Sequence, residues 1–118
     1  MASGSAFIVR DGASVKAVRG QEVFASDSLK TGRDGRLGVT LKDDTRVSIG
    51  PSSEVRITSF LYSPSEGQLA LALKFLKGAA VYVSGRIAKL APDSVRLETP
   101  AAILGVRGTT LGVQVKPQ

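Results

Sequence analysis

The chain has 118 residues, 42% of them apolar and 22% charged, which fits one domain with a real core and excludes a disordered chain. It holds no cysteine and no histidine, which excludes zinc and blue-copper centres, thiol and Ser-His nucleophiles and imidazole acid–base chemistry. Sixteen Lys and Arg against ten Asp and Glu give a formal charge of +6, a balance that favours anionic partners.

In chain order, residues 1–5 (Met1-Ala2-Ser3-Gly4-Ser5) read either as a trimmed or engineered start, with a native signal peptide removed, or as a disordered end. Beyond them the dominant signal is alternation with period two, bounded by Gly, Pro, Asp and Ser. Leu37, Val39 and Leu41 alternate with Gly38, Thr40 and Lys42. Lys42-Asp43-Asp44 reads as a tight hairpin connection, and Val47 and Ile49 resume the pattern on one face. Gly50-Pro51-Ser52-Ser53 stops that strand, because proline cannot donate to a central ladder. Val55 with Ile57, Val81 with Val83, and Val95 with Leu97 mark further strands, and Leu111, Val113 and Val115 mark the last.

The segment 65–78 carries two patterns. Leu69, Leu73 and Leu76 share a helical face, whereas Leu69, Leu71, Leu73 and Phe75 alternate strictly. Strand is the reading adopted, since tertiary context overrides a weak helical preference. The whole therefore predicts a single all-β domain over 1–118. It is a compact antiparallel roll or two-sheet sandwich of about ten short strands, with a β-solenoid-like roll as the alternative. The longest apolar runs are a few residues, too short for a transmembrane helix.

No pattern of chemistry-bearing residues points to a catalytic centre, a cofactor or a metal site. Asp43-Asp44 is the only adjacent carboxylate pair and falls in a turn expected to be exposed and solvated. Asp34, Asp43 and Asp44 are the residues left to gather around a cation by folding, without the spacing of a calcium loop. Thr31-Gly32-Arg33-Asp34-Gly35-Arg36 lacks the strand–GxxxxGK[ST]–helix setting of a phosphate cradle and reads as a turn. Gly105-Val106-Arg107-Gly108 is a GXXG, but its flanks read as strands where a backbone-clamping loop needs helices. Gly105 and Gly108 are expected to serve backbone geometry. Arg107 is expected to be largely buried, its planar fork bonded internally to carbonyls or a carboxylate. Basic and acidic residues are interspersed, as on a solvated surface and not as in a nucleic-acid stripe. Of the six aromatics, Phe60 and Tyr62 cluster around Leu61 before Pro64. They either close one end of the core or form an exposed contact patch.

Taken in order, these pieces resemble the FecR domain family. The matching segments begin with Ala17-Val18-Arg19-Gly20, Leu29-Lys30-Thr31-Gly32 and Gly35-Arg36-Leu37. Leu41 to Ser53 and Phe60-Leu61-Tyr62-Ser63-Pro64 follow. The most specific is Thr99-Pro100-Ala101-Ala102-Ile103-Leu104-Gly105-Val106-Arg107-Gly108-Thr109, similar to the family's TP.A.IGIRGT signature. Thr99, Pro100, Gly105, Arg107, Gly108 and Thr109 are thus expected to be a structural motif. Two turns depart from the family pattern. Ala25-Ser26-Asp27-Ser28 stands where members often carry Gly-Asp, and Asp43-Asp44 where they often carry Asp-Gly.

The resemblance implies a periplasmic or otherwise exported domain that transmits signals or binds a partner and carries no catalytic set. The expected partner is another envelope protein, met through the sheet surface or an edge strand. The alternative, from the +6 charge, is a cell-wall or anionic-polysaccharide binder. Nucleic acid is not expected as a partner.

Overall fold

In a computed structural model, residues 2–18, 22–104 and 110–116 are described. Strands β1 (Ala2–Ser3), β2 (Ala6–Arg10), β3 (Ala13–Lys16), β4 (Ser28–Thr31), β5 (Arg36–Thr40) and β6 (Arg46–Ile49) form the first half of the chain. Strands β7 (Glu54–Ser63) and β8 (Gln68–Val83) follow, then a short helix α1 (Arg86–Leu90). Strands β9 (Val95–Glu98), β10 (Ile103–Leu104) and β11 (Thr110–Val115) complete the order. The fold is all-β, as expected, and takes the form of a roll: one sheet curled into a half-barrel. Residues 2–3 lie in the sheet, Ala2 opposite Leu37 and Ser3 opposite Arg36.

The organising element is β8, the segment with two competing patterns. Its N-terminal half pairs with β7 on one side and with β9 on the other, and its C-terminal half pairs with β6 and β11. The sheet runs β1-β5-β6-β8-β7-β4-β2-β3, with β9 and β11 both on the second edge of β8. Among the described residues all pairings are antiparallel except β8 with β9. That parallel pair requires the chain to cross back, and α1 lies in the crossover.

Two irregularities bend the sheet and reset which residues face inward. A register shift between Ile57 and Ser59 leaves Thr58 as the extra residue, so Phe60 and Tyr62 face the core in place of Ser59 and Leu61. A second shift, where Glu54 meets Lys77 and Val55 meets Phe75, leaves Leu76 as the extra residue on β8. Leu71, Leu73 and Phe75 point inward before it, and Ala80 and Tyr82 after it, with Val81 turned to solvent. Gly78 sits at the bend with φ 83°, and a Cβ there would strike the Ser53 side chain.

The same bend is fastened by the turns before β5 and β7. Thr31 Oγ1 donates to Gly50 O at 2.6 Å and accepts from Ser53 N at 3.0 Å. Ser53 Oγ accepts from Ala79 N at 3.0 Å. Both side chains are buried, so these bonds satisfy groups that water does not reach. The core they enclose is aliphatic around two buried aromatics, Phe75 and Tyr82, with Leu29, Val55, Ile57, Leu71, Leu73, Ile87 and Leu97 almost fully buried.

Candidate interaction surface

Asp43 corrects the expectation of a solvated carboxylate pair. Asp44 is exposed, but Asp43 is fully buried. Its carboxylate accepts from Thr45 N at 3.1 Å, Thr45 Oγ1 at 2.7 Å and Ile87 N at 3.2 Å. The physical reason is α1, which the sequence did not announce: its first N–H groups lack intrahelical partners, and Asp43 supplies them from another element. Asp43 O also accepts from Arg86 N at 2.7 Å. Gly85 makes this approach possible, because a Cβ there would collide with Asp43 O and Thr45 N. Asp43 is therefore committed to holding the β5–β6 hairpin against α1.

The other carboxylates singled out are committed too. Asp34 Oδ1 accepts from Ser5 N at 3.3 Å, and the Ser5 contact holds its pKa below the ordinary value. Asp44 faces Arg86 Nε at 3.4 Å in an exposed pair. Among the described residues no three metal-ligating side chains gather. Asp27, buried, takes a two-pronged contact from Arg10, at 2.9 Å from Nε and 2.8 Å from Nη2. That guanidinium, with a further bond from Phe24 N at 2.8 Å, holds the Asp27 pKa down against the opposing effect of burial. Arg10 also lies over the Phe24 ring, 4.7 Å from its centroid.

Phe60 and Tyr62 are half-buried and pack against the core, while Leu61 between them is exposed. The Tyr62 hydroxyl, and after it Asp44, raise the Arg86 pKa above its ordinary value, so this end of β7 also meets α1. Thr99 and Pro100 lie in the turn joining β9 to β10. Thr99 Oγ1 accepts from Ala101 N at 3.2 Å and Ala102 N at 3.1 Å, while Thr99 N donates to Ala102 O at 2.8 Å. The hydroxyl thus shapes a tight turn in the manner of a serine/threonine turn. Gly105, Arg107, Gly108 and Thr109 lie outside the described residues.

The surface feature that the alternation did not single out is the second edge of β8. β11 pairs with β8 over all six of its residues without a shift, Thr110 opposite Val83 through Val115 opposite Gly78, and with no other strand among the described residues. Its sequence, Thr-Leu-Gly-Val-Gln-Val, holds no charge, no proline and no bulge. Leu111, Val113 and Val115 pack partly against the core, and Thr110, Gly112 and Gln114 are exposed. Between the end of β9 and the end of β11 along β8 lies a cleft of about 610 Å³, lined by Leu76, Lys77, Thr99, Pro100, Gln114 and Lys116 among others. The signature turn and the end of the edge strand therefore share one cleft.

The model of the family described as FecR protein matches residues 27–118. No curated protein and no solved structure matches the chain.

Proposed function

This chain belongs to the FecR family, and from that premise we propose that it is a non-catalytic interaction domain that binds another envelope protein by strand addition along β11. The FecR family is a regulatory family associated with signal transduction in the envelope and with periplasmic domains. Among the described residues no helix is long and apolar enough to cross a membrane.

The observation that carries the reading is the outer edge of β11, which pairs with no strand among the described residues. Sheet edges in folded proteins are ordinarily blunted by charge, proline, a bulge or brevity, because a free row of N–H and C=O groups recruits another strand. β11 has six residues and none of those devices, whereas the opposite edges are two-residue β1 and the lysine-bearing β3. The cleft at the C-terminal end of β11 is a candidate place for a partner side chain, and side-chain pockets are how strand addition acquires specificity.

The test compares capture from an envelope extract by the wild-type domain and by Thr110→Lys/Gly112→Lys/Gln114→Lys. All three positions are exposed, and the Gly112 site has open space for a side chain. The lysines guard the edge without entering the core, so the variant keeps its fold and loses the partner. Equal capture by both proteins refutes the edge as the binding element.

A further inference from the structure

The register of the sheet gathers charge that is scattered in the sequence. On the outward face of the half built from β3, β2, β4, β7, the first half of β8 and β9, one row reads Lys16, Phe7, Lys30, Glu54, Lys77 across five strands. The next reads Ser14, Val9, Ser28, Arg56, Lys74, Glu98 across six. Arg96, opposite Ala72, begins the row beyond. Six cations and two carboxylates thus share one sheet face, so much of the +6 net charge is concentrated there. Strands stand about 4.8 Å apart, which sets Lys16 from Lys30 and Lys30 from Lys77 at roughly 10 Å.

Lys30 meets Glu54 at 3.8 Å and Arg96 meets Glu98 at 3.5 Å, but Arg56 and Lys74 are placed directly opposite one another. Like charges facing across neighbouring strands destabilise a sheet, and an anion lying over both removes that repulsion.

We propose that this face docks an anionic polysaccharide, at a site that meets the cleft beside β11 only at Lys77. Charge complementarity calls for an extended polyanion, since the cations are laid out across the strands and not around a pocket. The two carboxylates and Ser28 select among polyanions. Glu54 and Glu98 would repel a continuous layer of lipid phosphates or a nucleic-acid backbone, whereas they accept hydrogen bonds from sugar hydroxyls. Phe7, half-buried and outward between Lys16 and Lys30, offers an apolar platform to the face of a sugar ring.

The experiment is anisotropy of fluorescent polygalacturonate titrated with the whole domain at low salt. It uses the wild type, Lys16→Gln/Arg56→Gln/Lys74→Gln, and a charge-matched control Lys42→Gln/Arg46→Gln/Lys89→Gln on other surfaces. Circular dichroism and melting confirm that each variant is folded, and Lys74→Gln alone, which relieves the facing repulsion, serves if the triple variant is not. The proposal expects wild-type binding that weakens as salt rises, a loss of roughly tenfold or more in the face variant, and little change in the control. It is overturned by absent binding, by equal losses in both variants, or by equal affinity for polyglutamate or for phosphatidylglycerol vesicles at matched charge.

Discussion

The carboxylate of Asp43 accepts a hydrogen bond from the backbone N–H of Ile87 at 3.2 Å, 44 residues along the chain. One side chain in the β5–β6 hairpin thereby fixes the start of α1, and with it the crossover that returns the chain to β9. Asp43→Ala leaves the N–H groups of Thr45 and Ile87 buried without acceptors. It is expected to cost about 2–4 kcal/mol in denaturant unfolding. Asp43→Asn retains one acceptor oxygen and is expected to fall between the two.

Both turns that depart from the family pattern hold a non-glycine residue in the left-handed region, Ser26 at φ 75° and Asp44 at φ 70°. The left-handed region is the one glycine enters at no steric cost, so glycine fits both positions as they stand. Ser26→Gly and Asp44→Gly are each expected to raise stability by about 0.5–1 kcal/mol, read as a higher denaturation midpoint. Asp44→Gly also removes the exposed ion pair with Arg86, which subtracts little from that gain.

How much of this was readable from sequence follows from the range of each signal. The hairpin of Leu37 and Val39 against Ile49 and Val47 was legible, because alternation and a turn are local. Leu69, Leu71, Leu73 and Phe75 gave β8 in the same way. The bends at Thr58 and Leu76 were not legible, since a one-residue bulge reverses the faces without changing composition; Val81 consequently points outward where Ala80 and Tyr82 are buried. Helix α1 was missed because five residues with only Ile87 buried show no periodicity, and its cap comes from a remote hairpin. The basic face was invisible for a related reason: its cations are separated in the chain and meet only through the register of six strands.

The Arg10–Asp27 contact predicts an acid-sensitive contribution to stability. Asp27 has its pKa lowered in the folded state, chiefly by Arg10. Its stabilising effect is therefore complete above the ordinary aspartate pKa of about 3.9 and is lost as pH falls through the lower folded value. Melting temperature followed downward from pH 5 should drop less steeply in Asp27→Asn than in the wild type, from a lower starting point. Parallel curves for the two proteins rule this contribution out.

For Arg107 the expectation from sequence stands as a prediction of its own. Arg107→Ala should lower stability by about 2–4 kcal/mol, and Arg107→Lys should recover only part, because an ammonium does not reproduce the planar fork. An unchanged melting temperature in Arg107→Ala, together with lost partner or glycan binding, would place the arginine on a binding surface.

The central claim, that the partner adds to the β11 edge, is tested most directly by site-specific photo-cross-linking in cells. A photoreactive residue at Gln114, exposed on β11, is compared with one at Lys42, exposed in the β5–β6 turn. The account predicts one discrete adduct with another envelope protein from position 114 and none from position 42. An adduct from position 42 alone, or no adduct from position 114, would contradict it.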